Sequence, residues 1–250
     1  MQDRRAPHQL RVNPSPVVLL PGLVSDEAVW AHARAPLEAG APVIIPDYGL
    51  LDSLGAMAEK VLREAPPRFA VAGHSMGGRV ALEILRRAPE RVSALALLDT
   101  GVQPLASGEP GEREATGRHE LLALARERGM AAMARRWVQG MVWSPRLDDE
   151  TLIRGVIDMF ARRSADMFAA QIRALLARPD ASGLLADISC PTLVLCGEQD
   201  GWAPAQRHID MAQKIPGARL VLVPDCGHMC TMERPEAVTG ALLEWQRSAA

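Results

Sequence analysis

The stretch that decides the fold reads Phe69-Ala70-Val71-Ala72-Gly73-His74-Ser75-Met76-Gly77-Gly78. It opens as an apolar run of strand length and closes on two glycines, after which a helical pattern begins. In residues 79–90, Val80, Ala81, Ile84, Leu85 and Ala88 share one face, and Arg79, Glu83, Arg86, Arg87 and Glu90 share the other. Ser75 therefore falls on a strand-to-helix turn of pattern G-x-S-x-G. Side chains at positions 73 and 77 would strike neighbouring backbone. Ser75 must take a strained conformation that lifts its hydroxyl out of the sheet. The start of the following helix favours negative charge developing beside it. Such a turn predicts a nucleophilic serine.

Short apolar runs recur on both sides of this turn, at 17–20, 43–45, 69–72, 94–98, 192–195 and 220–223. Runs apolar at successive positions predict strands buried on both faces of a parallel sheet. Amphipathic segments lie between them, and Pro235 opens a last helix striped by Val238, Ala241, Leu242 and Trp245. Strand–helix alternation predicts an α/β fold with right-handed crossovers. The alternation breaks between Asp99 and about Asp187. There a Gly/Pro/Ser-rich loop (101–111) precedes helical spacing through Met130, Met133, Ala134, Trp137, Val138 and Met141. A second such pattern runs through Ile153, Val156, Ile157, Phe160, Met167, Phe168 and Ile172. The division expected is a core of residues 1–101 and 186–250 with a helical cap insertion at 102–185.

A serine hydroxyl needs a base near neutral pH. Of the six histidines, His228 follows the last strand in Pro224-Asp225-Cys226-Gly227-His228-Met229. A loop at that strand end reaches the carboxyl edge of the sheet, where the serine turn also lies. His8 falls in a terminal segment, His74 points away from Ser75, and His119 and His208 fit solvated helix faces. The acid that orients the imidazole is expected at Asp200, after the strand at 192–195, with Asp99 as its rival. An oxyanion would be held by the backbone N–H of Met76 and by that of Leu23, in the Leu20-Pro21-Gly22-Leu23 loop.

Composition narrows the partners. The 250 residues are 48% hydrophobic and carry a formal net charge of -2. That allows a large core and argues against nucleic acid as a partner. No apolar stretch approaches the roughly 20 residues that span a bilayer. Residues 1–11 carry Arg4 and Arg5 with no long apolar core behind them, so the reading is cytoplasmic. Cys190 and Cys196 flank a strand that separates them by roughly 20 Å, which suits no zinc knuckle. The four cysteines are read as buried free thiols, with Cys226 near His228 the one alternative nucleophile. No metal or cofactor is expected.

From Val17 to Trp245 the chain resembles the α/β-hydrolase family. The resemblance rests on Leu20-Pro21-Gly22-Leu23, Gly73-His74-Ser75-Met76-Gly77-Gly78, Pro191-Thr192-Leu193-Val194-Leu195-Cys196-Gly197 with Asp200, and Gly227-His228-Met229 before Arg234-Pro235-Glu236. The order Ser, Asp, His also matches. It implies a triad, a lid-like helical insertion and no metal. Pro21-Gly22 stands where the family often has His-Gly, so the oxyanion loop is expected to be anchored differently. The antiparallel strands that often begin the family are expected to be reduced or missing here. The activity implied is cleavage of an ester or thioester of a small to medium apolar acyl compound through an acyl-enzyme. Some of Met130, Met133, Met141, Met159 and Met167 would line its pocket. Alternatives are carbon–carbon bond hydrolysis, or other chemistry on the same triad, and a ligand-binding protein on this fold.

Overall fold

The computed structural model describes residues 15–248; His8, Arg4 and Arg5 lie outside the described residues. Six strands form one sheet, parallel at every pairing: β1 Val17–Leu20, β2 Val43–Ile44, β3 Phe69–His74, β4 Val92–Leu98, β5 Thr192–Gly197 and β6 Arg219–Val223, in spatial order β2-β1-β3-β4-β5-β6. The inner strands β1, β3, β4 and β5 are buried along their whole length. The edge strands β2 and β6 are largely half-buried. Burial on both faces therefore holds for the four apolar inner runs and not for the edges.

Strand order reverses at β1. Right-handed crossovers place the helix after β1, α1 Ala31–Glu38, on one face of the sheet. They place α2 Leu54–Glu64 and α3 Met76–Arg87 on the other, where the two pack together. The last helix, Pro235–Ser248, returns to pack on α1. It buries Val238, Ala241, Leu242 and Trp245, the predicted stripe. The reversal opens a crevice at the carboxyl ends of β1 and β3, the usual ligand position in such sheets.

Between β4 and β5 the described chain is helical: α4 Glu109–Arg128, α5 Met130–Trp137, α6 Glu150–Ala161 and α7 Ala165–Leu176, with short 3-10 turns. The second apolar pattern of this stretch is two helices, because Ser164 accepts from the Met167 N–H and caps a new start.

Three local expectations shift. Strands β3, β4 and β5 are longer than the apolar runs that announced them. Helix α3 starts at Met76 rather than Arg79. Glu83, read as solvent-facing, is buried and lies 3.1 Å from Arg86 and 3.8 Å from Arg87, which keeps its charge paired.

Candidate active site

The site is assembled from loop residues at one sheet edge. Because the strands are parallel and in register, Leu20 pairs with Gly73, His74 with Leu98, and Leu98 with Leu195. The loops that follow these strands therefore converge.

Ser75 sits between β3 and α3 with φ 54° and ψ −116°, a conformation that non-glycine residues rarely adopt. The turn is held by its Ser75 N–H donating to the Leu98 carbonyl at 2.8 Å, and by Thr100 Oγ1 donating to the Ser75 carbonyl at 2.7 Å. The flanking glycines have a steric cause. A Cβ on Gly73 would lie 2.3 Å from the Gly77 carbonyl oxygen, and one on Gly77 would lie 2.1 Å from that of Leu20.

His228 Nε2 lies 2.9 Å from Ser75 Oγ, and its Nδ1 lies 2.8 Å from Asp200 Oδ2. The other Asp200 oxygen accepts from the N–H groups of Trp202 and Ala203 at 2.8 and 2.9 Å. Those partners leave the Nδ1–H tautomer as the one that fits, with Nε2 open to accept from Ser75. Burial opposes a charge on His228, but the adjoining Asp200 carboxylate outweighs it and raises the imidazole pKa above its ordinary value. Burial likewise opposes charge on Asp200. His228 and the two N–H donors overcome that and hold the carboxyl below its usual range.

Asp99 occupies a different seat. Its Oδ1 accepts from the Gly197 N–H at 2.9 Å, and its Oδ2 lies 3.6 Å from His74. Burial first, then the charge of Asp200, pushes its pKa well up. His74 is buried; its Nε2 donates to the His228 carbonyl at 2.8 Å, so it faces the back of the His228 loop. The same loop is tied forward, where the His228 N–H donates to the Met141 carbonyl at 2.6 Å. Glu233, also buried, accepts from the N–H groups of Gly227 and Met229, each at 3.0 Å, and of Trp143 at 2.9 Å.

Leu23 and Met76 both line the cavity beside Ser75. Among the described residues neither N–H is committed to an acceptor of the chain. The Leu23 loop includes Val24 at φ 47°, a strained value for a β-branched residue. Its N–H donates at 2.7 Å to the side chain of Gln171, which is buried on α7. Gln171 thus ties this loop to α7, a contact that sequence reasoning missed. Its signal was a lone amide on the Phe168, Ile172, Leu175 stripe.

His208, read as solvated, is instead fully buried on Ala205–Lys214 and accepts from the Thr100 N–H at 3.0 Å. Burial lowers its pKa to about 4. It shares a helical stripe with Met211 and Ile215, both buried, which marked that face. The cysteines are unpaired, with Cys196, Cys226 and Cys230 buried and Cys190 half-buried. Among the described residues no cluster of His, Cys, Asp or Glu is placed to hold a metal ion. No helix there is long and apolar enough to cross a membrane.

A cavity of about 590 Å³ opens over Ser75. Its apolar lining includes Leu23, Trp137, Met141, Phe160, Trp202 and Met229. Trp202 lies between His228 and Trp137, with ring centroids 5.0 and 5.4 Å away. Of the five methionines from which some were expected to line the pocket, Met141 reaches the cavity, whereas Met130, Met133 and Met159 are buried in the core and Met167 is half-buried.

A parallel α/β sheet carrying a serine on a strained strand–helix turn, within reach of a carboxylate-backed histidine, defines a class of hydrolases. The chain belongs to the alpha/beta hydrolase family, whose sequence profile matches residues 17–241. It is similar to the pimeloyl-(acyl-carrier protein) methyl ester esterase of Nitrosomonas europaea, 29% identical over 233 residues that cover 88% of this chain and 91% of that protein. It is also similar to a 2-hydroxy-6-oxononadienedioate/2-hydroxy-6-oxononatrienedioate hydrolase of Cupriavidus pinatubonensis, at 27% identity over 92% of this chain and 86% of that one. Among solved structures, a thermophilic esterase from Thermogutta terrifontis superposes with a TM-score of 0.85 and 28% identity, covering 94% of this chain and 90% of that one.

Proposed function

We propose that the protein is a carboxylesterase-like serine hydrolase acting on small to medium, largely apolar acyl esters or thioesters, with Ser75, His228 and Asp200 as its triad. The observation that carries this reading is the continuous Ser75–His228–Asp200 hydrogen-bond chain at 2.9 and 2.8 Å beneath the cavity.

In this mechanism neutral His228 takes the Ser75 proton as Oγ attacks the substrate carbonyl carbon. The N–H groups of Leu23 and Met76 hold the oxyanion. Imidazolium, stabilised by Asp200, then gives its proton to the departing alcohol or thiol, leaving an ester on Ser75. Water repeats the sequence with His228 as base, releasing the acid and free serine. Residues 102–185 act as the cap that supplies the pocket walls, with 1–101 and 186–250 as the core. The unpaired thiols support a reducing, cytoplasmic setting.

The test is turnover of p-nitrophenyl acetate and butyrate together with labelling by a serine-directed phosphonate. Many turnovers, and a single adduct at Ser75, are expected. A single slow turnover would instead indicate a ligand-binding protein. The similarity to an oxononadienedioate hydrolase supports a second reading, carbon–carbon cleavage on the same triad. Faster consumption of a vinylogous diketone than of either ester would favour it.

A further inference from the structure

We propose that the arginine-lined wall of the cavity is an anion seat, so that the natural substrate is an ester bearing an oxyanion, a carboxylate or phosphate, a short chain away from the scissile bond. This deepens the ester-hydrolase reading and rests on it for the reaction.

Arg79, Arg113, Arg118, Arg136, Arg178 and Arg207 line the same cavity as Ser75. Their partners do not balance them. Arg113 pairs with Glu109, and Arg136 with Glu120 at 3.2 Å. Arg118 and Arg178 share one carboxylate, Glu114, at 2.8 and 2.7 Å. Burial would raise the Glu114 pKa, but hydrogen bonds from Arg178 and Arg118 take it down to about 2, so its single charge is fully used. Arg79 donates to the Gln103 carbonyl at 2.9 Å and Arg207 lies on an exposed face; among the described residues neither has a carboxylate partner. Asp99 also lines the cavity, but it is buried at the end of β4 and its Oδ1 is taken by the Gly197 N–H.

The Arg178 side chain is only 8% exposed, and its terminal nitrogens donate to Glu114 and to the Leu175 carbonyl. Arg79 follows Ser75 by one helical turn, a rise of roughly 6 Å, which fits a substrate whose ester and anion are joined by a short chain. Burial, then repulsion from Arg178, lowers the Arg79 pKa to about 9. A half-buried cation without a carboxylate partner is stabilised by an oxyanion that accepts its free N–H groups. The aromatic wall of Trp137, Phe160 and Trp202 would cover the apolar chain between them.

The test compares esters matched except for charge. Monomethyl adipate against methyl hexanoate places the anion on the acyl side; 4-acetoxybutyrate against butyl acetate places it on the alcohol side. Wild-type enzyme is expected to favour the anionic member of one pair by about tenfold or more in kcat/KM, and that pair identifies the side. Arg79→Gln should erase most of the preference. Arg207→Gln, on an exposed face where folding is not at stake, should reduce it by about twofold to fivefold. Calorimetry on Ser75→Ala with adipate or butyl phosphate needs no turnover, so it separates this proposal from the esterase reading and tells carboxylate from phosphate. Binding of either anion, weakened at least tenfold by adding Arg79→Gln, supports the seat even if no ester is cleaved. Neither anion binding, or a charge preference that survives both arginine substitutions, would overturn it.

Discussion

The floor and the roof of the cavity are built on opposite terms. On the floor, Ser75, His228 and Asp200 hold one another, Asp200 has two further backbone donors, and the His228 loop is tied behind through His74 and beside it through Glu233. Its few uncommitted polar groups include the N–H groups of Leu23 and Met76. In the roof, between β4 and β5, arginines outnumber the carboxylates that face them, and Arg178 keeps a buried donor unused. The difference teaches where each property resides. Floor geometry is organised before substrate arrives, which suits transition-state stabilisation. The charges of the roof are completed by what binds, which suits selection. Changes to the floor should lower kcat, and changes to the roof should redistribute kcat/KM among substrates.

The largest effect expected is that of Ser75→Ala on turnover of p-nitrophenyl butyrate. It should remove on the order of 10⁵ in kcat while the thermal unfolding midpoint stays near wild type. Near-normal activity in that variant would dissolve the distinction between floor and roof. Next comes the acid. Asp200→Asn should cost about 10⁴ in kcat by disturbing the tautomer and the imidazolium. Asp99→Asn, removed from the ring nitrogens of His228, should cost less than about tenfold. The reverse order would move the acid to β4.

Much of the floor could be read from the chain because its causes are local. A glycine two residues either side of Ser75 is demanded by backbone distances within one turn and its supporting strand. Asp200 and His228 each follow an apolar run, so being at a strand end was enough to suggest them. The roof was far less legible. Its cavity-lining arginines are scattered from 113 to 178, and no spacing rule brings them together until the cap helices pack. Burial of Glu83 and His208 was missed for a related reason. A polar residue on an amphipathic helix is assigned to water by pattern, but the neighbours that arrive through tertiary packing decide it. Gln171 lay on an apolar stripe, and its purpose appears only when Val24, distant in sequence, lies opposite.

Gln171 also crosses the boundary between the two regions, being a roof residue that holds a floor loop. Gln171→Leu keeps the stripe apolar and removes the acceptor of the Val24 N–H. The strained turn that carries Leu23 should then relax, and kcat should fall about tenfold to a hundredfold with KM little changed. An effect on KM alone would return Gln171 to the roof. The pH profile is the next lever. Neutral His228 is the working form, and Asp200 raises its pKa above the ordinary 6.5. Below that raised value the ring is protonated and cannot accept from Ser75. kcat/KM should therefore climb with pH by about tenfold per unit, bend above pH 6.5 and then stay level. In Asp200→Asn the bend should move to lower pH, because the charge favouring imidazolium is gone. A bend that stays in place would detach the profile from His228.

The smallest effect belongs to Cys226, which lies on the floor but outside the proposed chemistry. It stands two residues before His228, and this closeness made it the alternative nucleophile. Its surroundings argue otherwise. The side chain is fully buried, and its sulfur contacts the Gly227 carbonyl at 3.7 Å. Burial first, then the neighbouring Glu233 carboxylate, pushes the thiol pKa far up. The thiolate is the reactive form of cysteine, so this sulfur is held in its inert state. Cys226 also lacks a place in the cavity lining, where Ser75 has one. Cys226→Ala should therefore leave kcat and the pH profile within about twofold of wild type. It should still lower stability by about 1 kcal/mol, since removing one buried sulfur leaves a small void. That corresponds to a fall of about 2–4 °C in Tm for a chain of this size. Kinetics and a melting curve on the same sample read both effects. A hundredfold loss of kcat without a change in Tm would place the sulfur in the reaction and make the floor a two-nucleophile site.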